Sequence, residues 1–463
     1  MKVQTMRRVD AWLGVPLCAV LTLWRRLRGL FVLEDHRVGE QGGGRARRGI
    51  LFVKLAEQGS TVLAHAALQR AVAEYGRENV WFLVFAQNRP ILDAMHVIPE
   101  ANVVAIRTAG LLGTLRATLA AVWKLRRLRL HAAVDLEFFA RSSAILTYLS
   151  GARLRSGLHA SAGDGPWRGD LFTHRVLYNP HLHTAQVFDL QVRALREPAE
   201  RFPALDLVPT PIAELARGRL EAGEGELAEV RGIIATAFGG DRPQALVLLN
   251  ANCSDLLPLR KWSEERYVEL ARRLLAREPG LGIAFTGAPD EAPHVGRLVE
   301  AIASPRCASL AGKTTMRQLL VLYECADVLV TNDSGPAHFG TLTPVDVVVL
   351  FGPETPELFG GLSPATTIVW ARTACSPCVN AYNNRVSTCH DNVCMQRIEV
   401  GEVEGRVVGA LARRRSGKGV ERPYVLPARE PAPAPVGGAD PTPVPGGNPR
   451  EAAPSLEEGP GQG

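Results

Sequence analysis

The sequence predicts an α/β protein made of two Rossmann-like, doubly wound parallel-sheet halves facing a cleft. Three observations predict it. From Ile50 onward, short apolar runs alternate with amphipathic stretches, the mark of parallel strands joined by crossover helices. Pro203, Pro209 and Pro211 interrupt the pattern, which then restarts at Ala245. The chain has 463 residues, 46% hydrophobic and 22% charged, ordinary globular material for two or three domains of about 150 residues. That composition excludes a disordered, collagen-like or disulfide-scaffold protein. Four regions follow: 1–48, 49–208, 209–418 and 419–463.

In the first half, residues 50–55 (ILFVKL), 80–85 (VWFLVF), 103–106 and 132–136 read as strands. Residues 61–75 and 111–129 read as helices, the latter with its Lys and Arg on one side. The polar, interrupted stretch 163–180 reads as a loop. In the second half, 245–250 (ALVLLN), 282–286 (GIAFT), 328–331 (VLVT) and 345–351 (VDVVVLF) are strands. Helices are expected over 263–277, 315–325 and 403–412. Residues 423–463 hold eleven Pro and seven Gly, a tail with too little apolar surface to order itself.

The net charge of +6 is local. Residues 1–48 carry ten Lys/Arg and four Asp/Glu, so the rest of the chain sums to zero. A nucleic-acid binder would spread its basic residues over a domain face, so no nucleic-acid partner is expected. Residues 11–24 (AWLGVPLCAVLTLW) are uncharged. As a helix they reach about 21 Å, short of the bilayer core of about 30 Å. Arg25, Arg26 and Arg28 follow at once, where a secretory signal needs a small-residue cleavage site. Flanking arginines and a tryptophan at each end suit peripheral membrane contact through residues 7–28, on the inner face of the cytoplasmic membrane. The alternative is a helix packed on the body. Residues 40–48 (EQGGGRARR) read as a linker.

Open parallel sheets bind ligands beyond the carboxyl ends of their strands. Four ends stand out: Lys54–Thr61, Asn250–Asp255 leading to Lys261, the turn from Thr286 to Glu291, and Val330–His338. In the last, Ser334 or Gly335 can cap a helix with Pro336 in its first turn, and its free N–H groups suit phosphate oxygens. Lys261 and His338 could neutralise a diphosphate, and Glu291 could accept from ribose hydroxyls. Plain helix capping and a structural histidine are the alternatives. No turn matches G-x-G-x-x-G or the Walker A pattern, which argues against hydride transfer and P-loop chemistry.

The stretches LAEQGSTVLAHAALQ, SDLLPLRKW, the turn Thr286–Glu291 and TNDSGPAHFGTLTPVDVVVLFGP together resemble the family-nine glycosyltransferases, the ADP-heptose–lipopolysaccharide heptosyltransferases and their relatives. The resemblance implies a GT-B fold, with the acceptor on the first half and the nucleotide-sugar donor on the second. It implies that Ser254, Lys261, Asp333, Ser334, Gly335 and His338 hold the donor's diphosphate and sugar, and that Glu291 contacts the nucleoside. It also implies inversion in one displacement without a bound metal, consistent with the lack of a D-x-D carboxylate pair. The family commonly has an Asp straight after the first-half glycine, Gly59, as general base. Here that position is Ser60, a poor base. Glu57 is the preferred replacement, with Asp135 and Glu137 second, so the catalytic set reads Glu57, Ser60 and Lys261.

Four of eight cysteines cluster as Cys375-x2-Cys378-x10-Cys389-x4-Cys394, which could close a structural zinc site; disulfides are the other option. The expected activity is transfer of a heptose or related sugar from an ADP-heptose-like donor to a lipopolysaccharide or lipid-linked glycan. Its rivals are a catalytically silent nucleotide-sugar-binding scaffold and a nucleotide-sugar epimerase.

Overall fold

The computed structural model describes residues 10–31, 49–160, 165–199, 207–216, 220, 222–253, 257–383 and 385–417. Two six-stranded sheets form the frame, and every strand pair in them is parallel. The first holds β1 (Ile50–Val53), β2 (Val80–Phe85), β3 (Val103–Ile106), β4 (Ala132–Asp135), β5 (Leu154–Leu158) and β6 (His174–Val176). Its spatial order is β3-β2-β1-β4-β5-β6. The second holds β7 (Ala245–Asn250), β8 (Leu281–Phe285), β9 (Cys307–Ser309), β10 (Val328–Asn332), β11 (Asp346–Phe351) and β12 (Thr366–Trp370). Its order, read from β9, is β9-β8-β7-β10-β11-β12. Both repeat the 3-2-1-4-5-6 order of the dinucleotide-binding fold.

The near-continuous apolar runs have a direct cause: the central strands are covered on both faces. Ile50, Phe52, Phe82, Val134 and Leu154 meet Leu68, Ala71, Phe188 and Val192 of the helices His65–Tyr75 and Thr184–Ala194. On the opposite face Leu51, Val53, Leu83 and Ala133 meet Ala121, Leu125 and Leu146 of the helices Gly110–Leu128 and Arg141–Leu149. The first of these clusters continues without a break into Val230, Leu246, Leu248, Leu329 and Val347 of the second half. The other face of the second sheet is covered by the helices Glu264–Arg277, Ala292–Ile302 and Val400–Arg415.

Several expectations need correction. The stretch 163–180, read as a loop, contains β6, and β5, β9 and β12 went unread. β6 and β9 are three residues long, and β5 (LRSGL) has an arginine and a glycine inside it, so none carries a periodic signal. The helix expected over 61–75 is two, Gln58–Leu63 and His65–Tyr75. The linker at 40–48 and the tail at 423–463 lie outside the described residues.

The helix Gly14–Phe31 has two faces. Cys18 is buried with Ala144, Leu171 and Phe172. Arg25 pairs with Asp170 at 2.5 Å, and the Asp10 carboxylate accepts from the backbone N–H groups of Arg141 and Ser142 at 3.2 and 2.8 Å. The packed alternative therefore holds for one stripe, while Trp12, Leu17, Val20, Leu23 and Trp24 stay exposed. Among the described residues no helix is long and apolar enough to cross a membrane.

The two halves approach closely where the helix Gln58–Leu63 lies against the helix Gly335–Gly340. A Cβ at Gly59 would stand 2.7 Å from His338 Cδ2 and 3.1 Å from Gly335 Cα. Gly59→Ala should therefore cost about 1–3 kcal/mol through overpacking, read as a lowered thermal midpoint. An unchanged midpoint would contradict this close approach.

Candidate active site

In each sheet the connections diverge between the first and fourth strands, opening a crevice at their carboxyl ends. The first crevice lies past β1 and β4. Glu137, just beyond β4, accepts from the backbone N–H groups of Leu55 at 2.7 Å and Ala56 at 2.9 Å. Its other oxygen lies 3.4 Å from Lys54 Nζ. These bonds bend the chain after β1 and deliver Glu57 to the head of its helix with φ 67° and ψ 86°. That left-handed conformation costs a residue with a Cβ on the order of 1–2 kcal/mol. The Glu57 carboxylate accepts from Ser60 Oγ at 3.1 Å, lies 3.8 Å from Lys54 Nζ and pairs with Arg385. Burial alone would raise its pKa, but Arg385, Lys54 and Arg260 outweigh it and hold the carboxyl at about 2.

Asp135 is elsewhere in its chemistry. It is fully buried, pairs with Arg168 and accepts from Ser143 Oγ at 2.9 Å and the Glu137 N–H at 3.0 Å. Burial still pushes it up to about 6 against the pull of Arg168. It ties the strand end together, and Glu137 shapes the turn that presents Glu57.

The second crevice lies past β7 and β10. Asn332 Oδ1 accepts from the Trp262 N–H at 3.0 Å and Tyr267 OH at 3.2 Å. Its Nδ2 donates to the carbonyls of Ala251 and Asn252, both at 3.3 Å, which laces the β10 turn to the β7 turn. Asp333, next along, is 2% exposed. Arg260 Nη1 lies 3.7 Å from Asp333 and 3.3 Å from Glu354. Burial raises the Asp333 carboxyl well above the ordinary range; Arg260 opposes the rise and Glu354 adds to it. Arg385 Nε reaches Glu354 at 3.1 Å, so this arginine spans from Glu354 to Glu57 and joins the two crevices. Burial works against its charge, but Glu354, Glu57 and Asp333 keep it protonated.

His338 is buried and its Nδ1 has no hydrogen-bond partner. Burial, with the charges of His183 and Arg260 adding, brings it down to about 3. That shift favours a neutral imidazole, a hydrogen-bonding group with an unpaired ring nitrogen. Ser334 is also not a side-chain cap; its Oγ sits 3.3 Å from Thr331 Oγ1, and Gly335 keeps the chain close to the Phe339 ring. Lys261 pairs with Glu264 at 2.5 Å. Glu291 closes its own turn by accepting from the Ala288 N–H at 2.6 Å, and burial raises its carboxyl. Ser254 lies outside the described residues.

Three charged residues of this site went unread: Arg260, Glu354 and Arg385. Arg260 is the neighbour of Lys261 in LPLRKW, and that pairing was the available signal. Arg385 rides on the loop that carries the four clustered cysteines. There Tyr382 OH donates to the Tyr178 carbonyl at 3.0 Å, and its ring lies 5.1 Å from that of Tyr178. This loop thus leaves the second half and seats on the first. Cys375, Cys378, Cys389 and Cys394 are free thiols lining one cavity of about 190 Å³. Among the described residues no three His, Cys, Asp or Glu stand where they could hold a metal ion. The donors for zinc are gathered there without a closed ligand set.

Residues 124–387 match the family model described as Glycosyltransferase family 9 (heptosyltransferase); the Glu57 turn lies outside that stretch. Lipooligosaccharide heptosyltransferase 2 of Haemophilus influenzae is 28% identical over 137 residues, which are 29% of this chain and 38% of that protein. The chain thus spans well under half the length of the curated relatives it matches. The structure of Escherichia coli ADP-heptose lipopolysaccharide heptosyltransferase II superposes with a TM-score of 0.59 at 19% identity, over 79% of this chain and 99% of that one. E. coli heptosyltransferase WaaC with ADP gives 0.52 at 17% identity, over 78% and 99%. These superpositions identify the fold as GT-B.

The site's carboxyls set two opposite pH dependences. Asp333 binds its proton more tightly folded than unfolded, so its contribution to stability falls as pH climbs above the ordinary carboxylate value of about 4. Asp333→Asn cannot lose a proton, so its thermal midpoint should gain on wild type between about pH 5 and pH 8. A constant difference would contradict the raised carboxyl. Glu57 acts in the other sense: its pairing stabilises above about pH 4 and is lost as pH falls toward 2.

Proposed function

The chain belongs to glycosyltransferase family 9, and from that premise we propose an inverting, metal-independent glycosyltransferase. It moves a heptose or related sugar from an ADP-heptose-like donor to a lipopolysaccharide or lipid-linked glycan acceptor. The observation that carries this reading is the meeting of two crevices: a carboxylate, Glu57, on the first and a cluster of polar and cationic groups on the second, joined by Arg385. The names of the relatives, heptosyltransferases of lipopolysaccharide and lipooligosaccharide, supply the sugar and acceptor classes.

In this reading residues 49–208 carry the acceptor and 209–418 the donor. Ser254, Asp333, Ser334, Gly335 and neutral His338 contact the diphosphate and sugar, and Glu291 the nucleoside. Glu57 takes the proton of the acceptor hydroxyl. The freed oxygen attacks the anomeric carbon from the face opposite the diphosphate, the sugar–phosphate C–O bond breaks, and its electron pair leaves with the nucleoside diphosphate. One displacement inverts the centre. Arg260, Lys261 and Arg385 supply the positive charge that the departing diphosphate needs, the task a metal ion performs in other transferases. While Arg385 rests on Glu57 the carboxylate is a weak base. A donor diphosphate competes for that guanidinium, and its departure lets the Glu57 carboxyl rise toward the ordinary range.

Residues 7–28 are read as a peripheral contact on the inner face of the cytoplasmic membrane. For the cysteine loop structural zinc is one reading and disulfides are the other: four thiols line one cavity, but no three of them stand where they could hold a metal ion. Metal content of purified, tag-free protein separates them: about one equivalent of zinc supports the first reading, and less than about a tenth ends it.

Calorimetry with ADP, UDP and GDP sugars, followed by turnover on a lipid-linked acceptor extract, tests the reaction. One nucleotide sugar should bind, and Arg385→Ala or Lys261→Ala should weaken it by about tenfold or more. No binding by any donor would contradict the proposal. Binding without turnover across acceptors would favour the silent scaffold, the reading to which Ser60 and the depressed Glu57 lend support.

A further inference from the structure

The helix Gly110–Leu128 packs on the first sheet through Ala121 and Leu125, and its outer side is apolar. Leu111, Leu112, Leu115, Leu119 and Trp123 are all more than half exposed, at 65, 70, 53, 59 and 57%. Leu111, Leu115, Leu119 and Trp123 recur every four residues, so they form one stripe along the helix. Scattered exposed leucines are ordinary, but a contiguous row of five large apolar side chains marks an interaction surface.

Charge identifies what the row faces. Residues 107–129 contain Arg107, Arg116, Lys124, Arg126, Arg127 and Arg129 and no Asp or Glu. The Arg127 guanidinium stacks over the Trp123 ring at 3.3 Å, holding a cation at the edge of the stripe. An apolar stripe flanked only by cations is the composition of a helix lying in the headgroup region of an anionic bilayer. A protein partner would ordinarily be met with both signs of charge.

Position supplies the second argument. The exposed face of the helix Gly14–Phe31 has the same make-up: Leu17, Val20, Leu23 and Trp24 exposed, Arg26 and Arg28 behind them, and no acidic residue from 11 to 31. The helix Arg141–Leu149 lies between the two. It holds Cys18 through Ala144, and the carbonyl of its last residue, Leu149, accepts from Arg126 at 3.4 Å. Ala133 pairs with Arg155 and Asp135 with Gly157 in the sheet, and a Cβ on Gly157 would meet the Phe172 ring beneath the N-terminal helix. Strand alternation therefore puts all three helices on one face of the first sheet, the face turned from the cluster shared with the second half.

We propose that the helix Gly110–Leu128 is a second membrane-contacting element, which seats the first half on an anionic lipid surface side by side with the N-terminal helix. Two parallel contacts fix the protein's orientation, where one helix would leave it free to swivel. The proposal shares its bilayer with the contact read for residues 7–28 but rests on different side chains and on no part of the reaction.

The test is co-sedimentation of the full chain with phosphatidylcholine vesicles, with and without phosphatidylglycerol. Wild type should bind the anionic vesicles and lose them at high salt. L115Q/L119Q/W123Q changes only exposed side chains; it should melt as wild type and bind anionic vesicles at least about tenfold more weakly. A companion variant, L17Q/V20Q/W24Q, reports on the N-terminal helix separately. If only the companion loses binding, the N-terminal contact stands and this proposal falls. If neither variant matters, or wild type binds no vesicle, the proposal falls too. Unaltered vesicle binding by L115Q/L119Q/W123Q together with loss of a wild-type dimer would make the stripe a self-association face and overturn the proposal.

Discussion

The site depends on one constraint: several charges are buried at the junction of two sheets, and none can stand alone. Arg385 meets Glu57 from the first half and Glu354 from the second, while Arg260 answers Asp333 and Glu354. Removing one member of such a group leaves its partner buried and uncompensated, at a cost of roughly 3–5 kcal/mol. The loop bearing Arg385, the left-handed turn at Glu57 and the proximity of the two crevices are therefore linked. The electrostatics add to the continuous apolar cluster that already joins the two halves.

The same arrangement suits group transfer. A buried arginine held between carboxylates is a cation waiting for a stronger anion, and a diphosphate is one. Its movement would couple donor arrival to the freeing of Glu57, so that the base is strongest when the leaving group is in place. His338, neutral and with a free ring nitrogen, adds a hydrogen-bonding group without adding charge to a cluster already rich in arginine.

Much of the fold was legible because fully buried strands read as continuous apolar runs: 80–85, 245–250 and 345–351 agree with β2, β7 and β11 within a residue. Of the edge strands β3 was legible, while β6, β9 and β12 were not. β6 and β9 owe their existence to a neighbour's backbone, since three residues have no period of their own. The site was half legible. Lys261, Glu291, Asp333 and His338 stood in turns after strands, where position implies ligand contact, and Glu57 sat beside the departure at Ser60. Their charge states were hidden, because burial set those of His338 and Asp333 and sequence carries no burial. Arg385 was hidden most completely: 328 residues separate it from Glu57, and nothing local marks it. The N-terminal segment presented two readings, membrane contact and packing, and a helix with one docked stripe and one exposed face accommodates both.

The most direct measurement is single-turnover transfer by Glu57→Gln with donor already bound. The account predicts a transfer rate lower by about 10²–10⁴-fold, the usual worth of a general base, with donor affinity no weaker than wild type, because Arg385 no longer has to leave a carboxylate. The amide is isosteric and can still accept from Ser60. Transfer at the wild-type rate would show that another group removes the acceptor proton, and the mechanistic account built on Glu57 would be wrong.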